Sequence, residues 1–262
     1  MNLITQYIPN IGPYEVVPKI LTHLENGNSL SIVRIGDGEI ILLNNVKDKI
    51  SKFSKRQIGR ELTSEELVMV QENIKIAVLE SNILGVPKKL HIDKNQLWGD
   101  ILEYYITLKT QDEKKWGNKE FCTIDLHLEL LESEQIFHLL SKIDKIVIVS
   151  SRDIKEQLVK RFPNIKYIEQ YTVPGEQCFE TEKNTEINIF KSVDDISKKL
   201  LSSDRNGQLL IYGVGPFGKH LGSDFSKMGG VSLDLGSVFD FFVGKITRGT
   251  GKGPESYTKP LL

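Results

Sequence analysis

The 262-residue sequence has only two cysteines, Cys122 and Cys178, in neither a metal-ligand nor a disulfide-framework spacing. So few thiols in so long a chain imply no disulfide and point to a reducing compartment. An excess of either charge is also missing: 34 basic residues face 35 acidic ones, a formal net charge of −1. That balance argues against a nucleic-acid binder working mainly by phosphate neutralisation. No apolar run approaches the ~18 residues of a membrane span. The opening MNLITQYIPNIGPYEVVPKI lacks a positive segment followed by an uninterrupted apolar one, so a cytoplasmic protein is expected. Internal repeats and low-complexity tracts are absent. His23, His91 and His138 are scattered without ligand spacing and read as surface or packing residues.

What is present is ordinary for a globular protein: 39% hydrophobic and 26% charged residues, which excludes disordered, collagenous and coiled-coil classes. Short Val/Ile/Leu runs alternate with longer amphipathic stretches, the pattern of strands joined by crossover helices. Strands are expected at Ser29–Ile35, Ile83–Val86, Phe121–Ile124, Lys145–Ser150, Ile165–Glu169, Gln208–Tyr212 and Val231–Leu235. KIVIVSS and QLLIYGV are apolar at successive positions, which favours a parallel sheet covered on both faces. Helices are expected at Tyr14–Glu25, Glu39–Asn45, Ser64–Ser81, Gln96–Lys109, Leu126–Lys142, Ile154–Phe162, Val193–Ser202 and Phe217–Met228. The expected fold is a single α/β, Rossmann-like, doubly wound domain over residues 1–247, with a mostly parallel sheet and helices on both faces. Residues 248–262 read as an extended or flexible tail. Asn44–Glu66 is cationic and weakly apolar, a solvated connector or a loop over a site, with a helix start at Thr63 or Ser64.

IVRIGDGEI (Ile32–Ile40) ends a buried strand in an arginine, two glycines and two carboxylates. In open α/β sheets, ligands bind beyond the carboxyl ends of the strands. In an extended or turn backbone, Asp37 and Glu39 can swing to one side and share a hard cation, Mg²⁺ or Mn²⁺. The alternative is an N-cap and a first-turn acid. Gly36 and Gly38 favour the ligand reading, because a glycine in a first helical turn costs roughly 1 kcal/mol against Ala. Arg34, ending a buried strand, needs an anionic partner, either Asp37 or Glu39 or a substrate phosphate.

YGVGPFGKHL places Gly213, Gly215 and Gly218 after a strand and before a helix, with Lys219 beside them. This matches a dinucleotide-binding fingerprint, whose amides attract phosphate. Asp234 is the candidate acid about 20 residues onward. The alternative is a tight turn with close helix–strand packing. MGGVSLDLGSVFDFF then clusters Asp234, Gly236, Ser237 and Asp240, of which Asp240 can simply face solvent. Ser150 and Ser151, followed by Arg152, sit after another strand and are ligand contacts or helix caps. Asp125 and His127, in CTIDLHLEL, occupy a third strand end, a place for a general base. Glu176, in YTVPGEQC, is a weaker candidate for a sugar hydroxyl.

IVRIGDGE, together with YGVGPFGKHL and GGVSLDLGSVFDFFVGK, resembles the GT-D-type glycosyltransferases, bacterial enzymes of Rossmann-like fold with an Asp-x-Glu motif. The resemblance implies that Asp37 and Glu39 support Mn²⁺ or Mg²⁺ and the diphosphate of a UDP-sugar. Arg34, Gly36, Gly38, Ser150, Ser151, Gly213, Gly215, Lys219, Asp234, Gly236 and Ser237, at the strand ends and glycine turns, are the residues expected to line the nucleotide-sugar site for the donor that the resemblance implies. The resemblance further implies a hexose moved to a glycan or glycoprotein acceptor, and leaves room for a homo-oligomer or a complex with other glycosyltransferases. Two other classes stay open: an NAD(P)-dependent oxidoreductase built on Gly213–Gly218, and a non-catalytic nucleotide-binding module.

Overall fold

The computed structural model describes residues 8–176, 178, 188–245 and 262. In chain order the elements are α1 (Pro13–Glu25), β1 (Leu30–Arg34), α2 (Asp37–Leu43), α3 (Lys47–Ile58), α4 (Ser64–Glu80), β2 (Ile83–Val86), α5 (Lys89–Lys94), α6 (Leu97–Gln111), α7 (Glu113–Trp116) and β3 (Glu120–Thr123). They continue with α8 (Leu126–Glu132), α9 (Gln135–Lys142), β4 (Lys145–Ser150), α10 (Lys155–Arg161), β5 (Tyr167–Thr172), α11 (Ile189–Leu200), β6 (Leu209–Gly213), a 3₁₀ turn (Gly215–Gly218), α12 (Leu221–Lys227), β7 (Val231–Asp234) and α13 (Val238–Phe242).

The seven strands form one sheet in the order β3-β2-β1-β7-β6-β4-β5, and every pairing is parallel. Parallel strands need cover on both faces, which is why β1 and β7 are buried at every position and most of β4 and β6 are apolar at consecutive positions. Two apolar clusters provide that cover. One holds residues of α2, α3, α4, α6, α7, α11 and α12, and the other residues of α1, α8, α9, α10 and α13. The doubly wound α/β expectation holds.

This arrangement opens a crevice. β1 and β7 are neighbours, yet the chain leaves β1 into α2 on one face and β7 into α13 on the other. Successive segments that part to opposite faces leave a gap above the strand ends, the place where α/β folds bind ligands.

Several boundaries differ from the sequence expectation for physical reasons. Asn44–Glu66 is no open loop: α3 occupies most of it and turns Ile50, Ser54 and Gln57 inward. The positive φ of 57° at Asn45 and 75° at Gly59 bracket that helix. Thr63 does begin α4, by a capping box with Glu66. The expected helix Leu126–Lys142 is two helices, because Glu134 adopts φ 59°, a left-handed conformation that no α-helix continues through. β5 lies at the sheet edge, where half-exposed YIEQYT does not read as apolar. The expected helix from Phe217 becomes the 3₁₀ turn followed by α12. The tail 248–262 and its boundary at residue 247 fall outside the described residues, apart from Leu262. Among the described residues, no helix is long and apolar enough to cross a membrane.

Candidate functional site

The crevice widens into a cleft of about 810 Å³, within the size range of small-molecule sites. Its walls bring together Arg34, Gly36, Asp37, Gly38 and Glu39 from the end of β1 with Gly213, Gly215, Lys219, Gly236 and Ser237 from the C-terminal third. Asp125, His127 and Ser151 complete it. Ser150 and Asp234 stand behind the wall rather than on it, at 0% and 2% exposure. The Ser150 hydroxyl accepts from Arg152 N (2.8 Å) and donates to Arg152 O (3.1 Å), so it shapes a turn.

A buried group of four charges lies at the cleft, with Arg34, Glu39 and Lys219 in its wall and Asp234 behind them. Arg34 reaches Asp234, donating from Nε to its carbonyl (3.1 Å), with Nη2 3.5 Å from its Oδ1. Its partner is therefore Asp234, not Asp37 or Glu39 as the sequence suggested. Nη1 donates to the Ile124 carbonyl at 2.7 Å, tying the loop after β3 to the same anchor. The stem of Arg34 passes over β2 at Gly85, where an added Cβ would lie 3.1 Å from it. Lys219 inserts between the two acids. Its Nζ donates to Asp234 Oδ2 (2.5 Å) and the Arg34 carbonyl (2.8 Å), and lies 3.2 Å from Glu39 Oε1. Burial alone would raise the Asp234 carboxyl, but Lys219 and Arg34 outweigh it and hold the group below its ordinary value. A second pair joins Arg152 Nε to Asp240 Oδ1 at 2.7 Å, so Asp240 does not simply face solvent.

The two carboxylates of the Asp-x-Glu segment take different places. Both lie in the first turn of α2, rather than in an extended or turn segment. Glu39 is buried (5% exposed), and its Oε2 accepts from Gly36 N at 2.8 Å, the return bond of a capping box. Asp37 is exposed, with Oδ1 accepting from Gly38 N at 3.0 Å. Gly38 has a packing reason as well, since a Cβ there would meet the Phe53 ring at 3.0 Å.

Packing also explains Gly213 and Gly218. A Cβ on Gly213 would lie 2.5 Å from the Gly236 carbonyl, and one on Gly218 would lie 2.7 Å from Val214. Gly213→Ala is accordingly expected to destabilise by roughly 1–3 kcal/mol, as overpacking does, read from the urea midpoint; an unchanged midpoint would mean that the turn gives way freely. Gly236 needs both features of glycine: its φ is 48°, and a Cβ would press to 2.6 Å from Arg34 Nη2.

His91, which reads in the sequence as a surface or packing residue, has its Nε2 3.0 Å from Asp125 Oδ2. No spacing signal announces this, because the two residues sit on α5 and at the start of α8. Phe53, Arg56, Arg60 and Trp98 also line the cleft, and no sequence motif marks them.

The GT-D fold-like domain family matches residues 11–242. The chain belongs to the GT-D-like family. The match covers both the Ile32–Ile40 segment and the glycine-rich turn, so the two halves of the cleft belong to one GT-D-like domain. Membership supports a glycosyltransferase. Asp234, the acid that an oxidoreductase reading would turn toward a ribose, is buried here against Lys219 and Arg34. No curated protein and no solved structure matches significantly.

Proposed function

We propose that this GT-D-like protein is a metal-assisted hexosyltransferase, taking its sugar from a UDP-sugar such as UDP-glucose and passing it to a glycan or glycoprotein acceptor. One observation carries the reading: Lys219 bonds the Arg34 carbonyl and contacts Glu39 and Asp234, closing two chain segments about 180 residues apart around one cleft. Phe53, Trp98, Phe217 and Phe239 give that cleft apolar surface for a nucleobase. Arg34, Lys219, Arg152 and the Gly213–Gly215 and Gly236–Ser237 turns give polar surface for the diphosphate and sugar.

The donor set suits a hard cation. Among the described residues, no group of three or more His, Cys, Asp or Glu is placed to hold a metal, but Mg²⁺ is commonly held by one or two carboxylates plus substrate phosphates. Asp37 is the exposed carboxylate of the pair, with Glu39 beside it facing Lys219. When bound, the ion would supply a Lewis acid for the departing diphosphate. The chain itself would hold the sugar donor against its aromatic and polar walls, with Lys219 and Arg34 fixed at the site, where developing negative charge is stabilised without reorganisation.

Melting temperatures with UDP, UDP plus Mn²⁺, and NADH test the binding half. The expected result is a rise with UDP that grows with Mn²⁺, about 2.7 kcal/mol of added stability at a hundredfold excess over Kd. Stabilisation by NADH and not by UDP would overturn it. Donor hydrolysis across UDP-, GDP- and dTDP-sugars identifies the sugar nucleotide.

A further inference from the structure

We propose that His91 is the positioning residue for the acceptor base, holding Asp125 in the cleft wall through a hydrogen bond from Nε2 to Oδ2. The inference rests on the glycosyltransferase reading above and deepens it by choosing Asp125 over His127 as the base.

The choice comes from what fixes Asp125. It occupies the N-cap position of α8, yet its side chain makes no capping bond, so the ordinary structural use of an aspartate there is absent. The carboxylate turns instead to His91, 3.0 Å away. Lys88 N donates to His91 Nδ1 at 3.1 Å, which makes Nδ1 the acceptor and puts the ring proton on Nε2, facing Asp125. The Trp98 ring packs against the imidazole with centroids 5.6 Å apart. Thr123 Oγ1 accepts from Asp125 N (3.1 Å) and donates to Glu129 Oε1 (2.9 Å), which in turn accepts from Lys88 Nζ (2.7 Å). Lys88 thus anchors both ends of a closed ring: its backbone orients His91, and its side chain, through Glu129 and Thr123, holds the Asp125 backbone. A carboxylate oriented by His91 on a backbone that Thr123 holds in place at a cleft wall has the fixed geometry that general-base catalysis needs.

In the proposed step, the Asp125 carboxylate takes the proton of the acceptor hydroxyl as that oxygen bonds to C1 of the donor sugar. The C1–O bond to the diphosphate breaks, and its electron pair leaves on the diphosphate. Water takes the acceptor's place when the donor is hydrolysed.

The test measures UDP release from UDP-glucose, with Mn²⁺, by the full chain and by His91→Leu, His91→Gln, Asp125→Asn and the His91→Leu/Asp125→Asn double variant. His91→Leu and Asp125→Asn are each expected to lower kcat by roughly 10²-fold with KM for UDP-glucose unchanged. His91→Gln, which keeps a side-chain N–H, is expected to recover most of the rate. The double variant is expected to be no slower than Asp125→Asn alone, because two residues acting as one unit are not additive. If the wild type turns over and His91→Leu keeps its kcat, or if its loss appears equally in UDP binding and melting temperature, the positioning role is wrong while the transferase reading stands. A wild type that releases no UDP removes the reaction and the base with it.

Discussion

Asp234→Ala is expected to lower the unfolding free energy by about 3 kcal/mol, at the lower end of what removing one partner of a buried ion pair costs. The side chain is 2% exposed and accepts from Lys219 Nζ and from Gly236 N (3.1 Å), with Arg34 Nη2 3.5 Å away. Without it, Lys219 keeps a single buried acid, Glu39, and Arg34 loses the carboxylate it faces. The loss stays at the lower end because Arg34 keeps the Asp234 and Ile124 carbonyls, and Lys219 keeps the Arg34 carbonyl. Asp234→Asn retains the shape and costs less. The same group sets an acid dependence. Its folded carboxyl is held below the ordinary value of 3.8 by Lys219 and Arg34 against the opposing effect of burial. A depressed folded value means stability fully present above 3.8 and lost as the pH falls through the folded value. The gap between wild type and Asp234→Asn should therefore narrow from about pH 7 to about pH 3 in urea titrations. A gap that widens toward acid, or an Asp234→Ala loss under about 1 kcal/mol, would mean that the charges behind the cleft are not mutually dependent.

The parts of this fold that the sequence reveals are those whose burial is uniform. KIVIVS and LLIYG are apolar at nearly every position because both faces of the sheet are covered, and their spans are recovered to within a residue. The edge strand β5 is displaced because YIEQYT is half exposed and its apolar signal is diluted. α3 was hidden by its charge: Lys47, Lys49, Lys52 and Lys55 mask the inward Ile50 and Phe53. At the site, strand ends pointed to segments that the structure brings together in one cleft, since a doubly wound sheet gathers them at one edge. Pairing is another matter. That Arg34 meets Asp234 across 200 residues, or that His91 meets Asp125, depends on strand order, which local pattern does not encode. The glycines of Gly213–Gly218 read as a phosphate motif, while two of them are needed for contact with Gly236, Phe239 and Val214.

Asp37→Asn should separate the chemistry from the fold. The side chain is exposed, and its hydrogen bond with Oδ1 accepting from Gly38 N survives in the amide. Folding stability is therefore expected to stay within about 0.5 kcal/mol of wild type. UDP release from UDP-glucose is expected to fall by roughly 100-fold or more, since a bound cation supplies several kcal/mol of stabilisation to the departing charge. A second readout needs no turnover: the extra rise in melting temperature that Mn²⁺ gives to UDP should disappear in Asp37→Asn, while the rise with UDP alone remains. Glu39→Gln is the informative contrast. The amide oxygen can still accept from Gly36 N, but the charge facing Lys219 is gone, so this variant should lose both stability, by about 1–3 kcal/mol, and transfer. The two neighbouring carboxylates thus differ in setting, one open to the cleft and one holding the lysine against the start of α2. Full UDP release by Asp37→Asn, measured after metal depletion and resupply of Mn²⁺, would break the link between the exposed carboxylate and the cation.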